Sequence, residues 1–185
     1  MGTKKEQRSL CKGARTALTT EERAKASQTI CELIKQHQIS QDAKNVLAYA
    51  TWGVEVDITE LNEWFERSGV KVAYPICGEE GKMIAAVPLK GEGFEIGKYG
   101  IRAPIMEKSE LIPPDAIDLV LVPCVGFDEE KMRLGMGKGY YDRYLPQCTH
   151  AVKLLVAYEA QKVDRIIRES FDHPVDWIVT EKGIR

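Results

Sequence analysis

Asn45-Val46-Leu47-Ala48-Tyr49-Ala50 is apolar at almost every position, and together with the two segments after it this run decides the fold. A short run with no polar alternation fits a strand covered on both faces, as in a parallel sheet. Asp57 then opens a helix that carries Ile58, Leu61, Trp64 and Phe65 on one face. Val70-Lys71-Val72-Ala73-Tyr74-Pro75 is the next strand. Strand, helix, strand in that order predicts a right-handed crossover between parallel neighbours. Asp118-Leu119-Val120-Leu121-Val122-Pro123 is the best candidate for a central strand. Lys153-Leu154-Leu155-Val156-Ala157-Tyr158 and Asp176-Trp177-Ile178-Val179-Thr180 add two more.

Outside these strands the pattern changes. Residues 4–18 predict a helix with a narrow stripe of Leu10, Ala14 and Leu18. Thr19-Thr20-Glu21-Glu22 carries a capping box and starts a second helix, with a stronger stripe of Ala26, Ile30, Leu33 and Ile34. Residues 78–104 are rich in glycine, with short β-like pieces, and predict a hairpin or edge region. Pro113-Pro114 marks a loop. With no repeat, low-complexity tract or linker, the expectation is a single α/β domain spanning residues 1–185. It has three layers, a mainly parallel central sheet flanked by helices, and the N-terminal helices packed on that sheet. Ligands in such sheets bind beyond the carboxyl ends of the strands.

Composition narrows the function. The 185 residues are 44% apolar, enough for a proper core, and the net charge of −2 gives no global case for nucleic acid or an anionic membrane. Positive charge gathers instead near the N-terminus, at Lys4, Lys5, Arg8, Lys12 and Arg15. No apolar run reaches membrane-spanning length, and the first residues lack the apolar segment of a signal peptide. Five scattered cysteines without C-x-x-C read as reduced thiols in a cytoplasmic protein. His37, His150 and His173 are too dispersed for a His-rich metal centre.

Chemistry concentrates in Arg133-Leu134-Gly135-Met136-Gly137-Lys138-Gly139-Tyr140-Tyr141-Asp142. Alternate glycines allow a tight bend and bring backbone N–H groups close to an anion. Arg133 and Lys138 supply fixed positive charge. Asp142, on the first turn of a helix expected over residues 139–145, is a hard oxygen ligand. Together these suit a Mg-bound polyphosphate. The segment is neither a Walker A loop nor a G-x-G-x-x-G fingerprint. A plain turn would explain the glycines alone, but not the nearby Arg, Lys and Asp. Asp142 alone could be a helix-dipole charge, and Asp176, at the start of a strand, has the same ambiguity. Lys4 and Arg8 could be solvated helix cations. Trp52 and Glu55 come after the first strand; Trp52 could stack on a planar ligand or shelter the sheet edge.

Taken together, these residues resemble the 5-formyltetrahydrofolate cyclo-ligase (5,10-methenyltetrahydrofolate synthetase) family. The resemblance runs from Lys4 and Arg8 through Glu55-Val56-Asp57, Tyr74-Pro75 and Gly100-Ile101-Arg102-Ala103-Pro104, the last resembling a G-I-x-E-P segment. It continues through Val122-Pro123-Cys124-Val125-Gly126-Phe127-Asp128 and residues 133–142, and ends with His173-Pro174-Val175-Asp176-Trp177-Ile178-Val179-Thr180-Glu181. The R-L-G-x-G-K-G-Y-Y-D string is its most specific element. Ala103 stands where the pattern has glutamate, and Cys124 and Gly126 where glycine and alanine are commoner.

The resemblance implies an ATP- and Mg-dependent enzyme that closes 5-formyltetrahydrofolate to 5,10-methenyltetrahydrofolate with release of ADP and phosphate, through an N5 iminium phosphate. It implies that Lys4, Arg8 and the loop of Arg133, Leu134, Gly135, Met136, Gly137, Lys138, Gly139, Tyr140 and Tyr141 contact ATP, with Arg133 and Lys138 catalytic. Trp52 and Glu55, with the loop from Met136 to Tyr140, would contact the folate, and Asp142 and Asp176 would hold Mg. A monomer without nucleic-acid or membrane partners is expected. Two other readings share the loop: a small-molecule kinase with a lasting phospho-product, and a non-catalytic sensor of a phosphorylated metabolite or folate.

Overall fold

A computed structural model describes residues 2–89, 93–97 and 100–185; positions 90–92 and 98–99 of the glycine-rich stretch lie outside the described residues. In chain order the strands are β1 (Asn45–Leu47), β2 (Lys71–Cys77), β3 (Met83–Pro88), β4 (Phe94–Ile96), β5 (Arg102–Pro104), β6 (Ser109–Ile112), β7 (Leu119–Pro123), β8 (Gly126–Phe127), β9 (Arg133–Leu134), β10 (Val152–Val156), β11 (Trp177–Thr180) and β12 (Gly183–Ile184). The helices are α1 (Lys4–Ala17), α2 (Thr20–Gln36), α3 (Gln38–Asp42), α4 (Thr59–Arg67) and α5 (Tyr140–Tyr144).

Eight strands form one sheet in the order β12-β11-β10-β7-β1-β2-β3-β6. From β11 to β2 every pairing is parallel. Antiparallel pairs add β12 at one edge and β3 and β6 at the other. The chain moves outward from β1 through β2 to β3, then returns to the other side of β1 as β7. The order therefore reverses between β1 and β7, and a crevice opens there at the carboxyl ends. Two small antiparallel pairs, β4–β5 and β8–β9, stand apart from the main sheet and flank that crevice.

The continuous apolar runs are explained by burial on both faces. Val46, Leu119, Leu121, Leu154 and Val156 lie under Ile30 and Ile34 of α2 and Leu61 and Phe65 of α4. Leu47, Val120, Val122 and Leu155 face the other way, against Tyr144, Leu145 and Ile117. That second layer is thin, built from the five-residue α5 and short turns. Local signals hold at the start of α2. Thr19 Oγ1 accepts the Glu22 N–H (3.2 Å), and the Glu22 carboxylate accepts the Thr19 N–H (2.7 Å). At α4 the N-cap position is Ile58, which has no side-chain cap; Asp57, one residue earlier, accepts the N–H of Thr59 (3.0 Å).

α1 departs from expectation. Its buried residues are Cys11 and Arg15, whereas Leu10 is 67% exposed. The helix does not lie on the sheet. It packs over the loops at the carboxyl ends, where Cys11 meets Val125, Met132, Leu134 and Ile166. The approach is close: a Cβ at Gly126 would lie 2.5 Å from the Cys11 sulfur. Lys4, Arg8, Cys11 and Arg15 share one side of the helix at three- and four-residue spacing. That side is mostly cationic, so apolar periodicity selects the wrong stripe. α2, in contrast, packs on the sheet as expected.

Candidate active site

A cavity of about 620 Å³ occupies the crevice between β1 and β7. The residues just beyond the strands form its floor and one wall: Tyr49, Trp52 and Glu55 after β1, Cys77 at the end of β2, and Cys124 after β7. Lys4, Arg8 and Lys12 of α1 and the segment between β9 and α5 form a second wall. β5 closes a third side, with Ile101, Arg102, Ala103 and Pro104. Glu95, opposite Ala103 in the β4–β5 register, also lines the cavity, so this wall has a carboxylate on the neighbouring strand.

Three guanidinium groups lie against the three glycines of the loop. A Cβ at Gly135 would come within 2.8 Å of Arg133 Nη1, one at Gly137 within 3.2 Å of Arg8 Cζ, and one at Gly139 within 2.7 Å of Arg143 Nη1. Gly137 (φ 96°) and Gly139 (φ 70°) are also left-handed, a conformation that costs other residues free energy. Arg8 Nε donates to the Gly135 carbonyl (2.9 Å), and Arg143 Nη1 donates to the Lys138 carbonyl (3.0 Å). Among the described residues, the N–H groups of Gly137, Lys138 and Gly139 donate to no protein oxygen. Carbonyls held by arginine and amides left open make a cradle suited to an anion.

The side chains around this cradle are mostly paired. Arg133, 6% exposed, is ion-paired through Nη2 to Asp142 Oδ1, and its guanidinium lies 5.5 Å from the Tyr141 ring. Lys4 Nζ is 2.6 Å from both Glu169 and Asp172 and 5.6 Å from the Phe171 ring. Burial pulls the Lys4 ammonium down, but its bonds to Asp172 and Glu169 outweigh that and raise it. Lys138 is exposed on the loop and has no carboxylate partner among the described residues. Tyr140 donates its hydroxyl to the Gly78 carbonyl (3.0 Å), whereas the buried Tyr141 hydroxyl has no protein partner among the described residues.

The other wall is less charged. Glu55 accepts the Trp52 N–H (3.1 Å). Burial raises its carboxyl above the ordinary value, against the Trp52 bond and the charge of Arg15. Cys124 is pushed up to about 12 by burial, despite Arg133 and Arg15 nearby, so its thiol is not a nucleophile at neutral pH.

Lys4, Arg8, Trp52, Glu55 and all of residues 133–142 therefore come together around one cavity. Asp176, expected to hold Mg together with Asp142, is not among the residues that line it. It precedes β11, whose first residue pairs with Leu154 of β10. That is the amino end of the sheet, opposite the crevice. Asp176 Oδ2 there accepts the Lys153 N–H at 2.7 Å.

Sequence reasoning also missed residues. Arg143 lies one residue beyond the quoted motif, and the glycines gave no hint that a guanidinium would cover them. Glu169, Phe171 and Asp172 reach the cavity from an irregular segment with no periodicity to expose it.

The model for the 5-formyltetrahydrofolate cyclo-ligase family matches residues 1–181. The 5-formyltetrahydrofolate cyclo-ligase of Escherichia coli K12 is 27% identical over 174 residues, which cover 92% of this chain and 96% of that protein. Among solved structures, Aquifex aeolicus 5,10-methenyltetrahydrofolate synthetase superposes with a TM-score of 0.87 at 33% identity, covering 98% of this chain and 91% of the other. The Mycoplasma pneumoniae 5,10-methenyltetrahydrofolate synthetase superposes with a TM-score of 0.80 at 27% identity, covering 97% and 99%.

Proposed function

Because the chain belongs to the 5-formyltetrahydrofolate cyclo-ligase family and is a ligase, we propose that it closes 5-formyltetrahydrofolate to 5,10-methenyltetrahydrofolate, consuming ATP in the presence of Mg and releasing ADP and phosphate. The observation that carries this reading is the arginine-backed glycine cradle facing an apolar wall across one cavity. A triphosphate needs the first, and a planar pterin needs the second. We assign the whole 185-residue chain to one such domain, working in the cytoplasm. All five cysteines are free thiols, and no described helix is long and apolar enough to cross a membrane.

A formamide oxygen is a poor leaving group. Transfer of the γ-phosphoryl to that oxygen makes it a good one and leaves an N5 iminium carbon. N10 then attacks this carbon and loses its proton, and phosphate departs as the ring closes. Little of this requires covalent work from the protein; positioning and charge stabilisation dominate. The open amides of residues 137–139 and the Lys138 ammonium would meet the transferring phosphoryl. Arg133 would act from beneath, through the floor it shares with Asp142. Lys4 and Arg8 would face the nucleotide. Trp52 would stack on the pterin, and Glu55 would accept its N–H groups.

Asp142 suits a Mg ion, since its Oδ1 serves Arg133 while Oδ2 has no protein partner among the described residues. One carboxylate is enough where phosphate oxygens and water complete the shell. Bound there, Mg would neutralise charge on the phosphates. The remaining walls would keep water from the reactive carbon.

The test is the absorbance of the methenyl product when enzyme, Mg and 5-formyltetrahydrofolate are mixed with and without ATP. Product should form only with ATP. ATP consumption that leaves a stable phospho-compound would indicate a kinase instead, and binding without turnover a sensor.

A further inference from the structure

Resting on the folate reading of this cavity, we propose that Arg102 receives the carboxylates of the substrate's glutamyl tail and so makes the enzyme select glutamylated over tail-less folate. A folate is planar and nearly neutral at its pterin end. It carries two carboxylates at the other. A site that holds the pterin at one wall needs a cation elsewhere on the cavity's rim to recognise the tail.

Most cations of the cavity are already committed. Lys4 is held by Glu169 and Asp172, and Arg133 by Asp142. Arg8 and Arg143 hold loop carbonyls and cover glycines. Lys138 belongs to the cradle itself. Arg102 differs from all of these, and from Lys12 of α1, in place, and from Lys4 and Arg133 in having no carboxylate partner among the described residues. It lies on β5, on the wall that also carries Ile101 and Pro104, away from α1 and the glycine loop. It is exposed, as a group must be to meet a tail leaving the cavity for solvent.

Its guanidinium is also held in place. It stacks 4.0 Å above the Phe94 ring, and Phe94 in turn packs edge-on against Tyr74 at 5.1 Å. Stacking occupies the face of a guanidinium and leaves its edge N–H donors free, in the fork geometry that matches a carboxylate. Among the described residues no carboxylate lies within ion-pair distance of Arg102. A cation fixed in orientation and without an acid partner is prepared for an external anion.

The experiment is isothermal titration of 5-formyltetrahydrofolate and of 5-formyltetrahydropteroate, which has the same rings without the glutamate. Each is titrated into the wild-type protein, Arg102→Gln and Arg102→Lys. Wild type should bind the glutamylated ligand about tenfold more tightly, on the scale of one charge-assisted hydrogen-bond pair. Arg102→Gln should erase that difference while leaving the tail-less ligand and ATP within twofold. Arg102→Lys should keep part of the preference. A residue that only braced the hairpin would weaken both folates alike, and that result, or a wild type that does not distinguish them, overturns the assignment. If wild type binds both folates and closes the ring but Arg102→Gln keeps the preference, Arg102 alone is misassigned. If wild type binds neither folate, the folate reading falls and the assignment falls with it.

Discussion

The two ends of the parallel sheet use acidic residues in opposite ways. At the amino ends, Asp118 Oδ2 accepts the N–H groups of Lys44 (2.9 Å) and Asn45 (2.8 Å), and Asp176 Oδ2 accepts that of Lys153 (2.7 Å). Each carboxylate ties the start of its own strand to the start of a neighbour. At the carboxyl ends, Asp142 pairs with a buried arginine at the cavity floor, and Glu55 lies in a wall where burial raises its carboxyl. The chemistry of the side chain is the same; the end of the strand decides its use. Residues at or beyond the carboxyl ends, such as Trp52, Cys77 and Cys124, line the cavity, while Lys44, Asp118 and Asp176, which precede their strands, do not. In a parallel sheet all strands present the same end to the crevice, so order relative to the strand separates site from scaffold.

The cradle is where that contrast predicts the largest effect. Lys138→Ala should lower kcat/KM by about 10²-fold, the scale of losing one strong electrostatic contact to a transition state. Because Lys138 is exposed and has no carboxylate partner among the described residues, the variant's thermal stability should not change. A variant within threefold of wild type in steady-state kinetics would remove Lys138 from the mechanism and leave the cradle to its amides and arginines.

Asp142 and Asp176 test the two ends directly. Asp142→Asn should raise the Mg concentration for half-maximal rate by about tenfold, as expected when a hard cation loses a charged oxygen. It also unpairs the buried Arg133, so its Tm should fall, and the Mg titration separates the two effects. Asp176→Ala should leave the Mg titration unchanged. It should cost about 1 kcal/mol of stability for the lost acceptor, or roughly 2–4 °C in Tm for a chain of this size. A shifted Mg requirement in Asp176→Ala would break the division between the ends.

Much of the molecule is legible in its sequence, and the remainder is hidden for physical reasons. Doubly buried strands show as unbroken apolar runs, so all five parallel strands are locatable. The glycine motif is readable because its backbone must bend where few residues can. α1 is misread because its inner side carries Lys4 and Arg8, which line the cavity, and the buried Arg15, while hydrophobic patterning finds only helix sides built for a core. Arg143 and Phe171 escape notice because a contact made by folding distant segments together leaves no spacing in the chain. Which end of the sheet Asp176 occupies is not legible, because a carboxylate beside a strand looks the same at either end.

The smallest expected effect bears on whether Glu55 is site or scaffold. Burial is the largest influence on its carboxyl and raises it above the ordinary 4.5; the Trp52 N–H and the Arg15 charge oppose the rise. A carboxyl raised on folding stabilises the protein fully below its unfolded pKa and loses that contribution as pH rises through the folded one. At pH 8 ionised Glu55 is therefore a net cost to the fold. Glu55→Gln should raise Tm by about a degree or two at pH 8, and the gain should vanish near pH 4.5. The same variant should weaken 5-formyltetrahydrofolate several-fold and leave ATP unchanged, because a carboxylate accepts pterin N–H groups that an amide only half satisfies. Stability gained with folate affinity lost is the pattern of a residue kept for its ligand. A Glu55→Gln protein less stable than wild type at pH 8 would mean that Arg15 and the Trp52 N–H outweigh burial, and Glu55 would join Asp118 and Asp176 as scaffold.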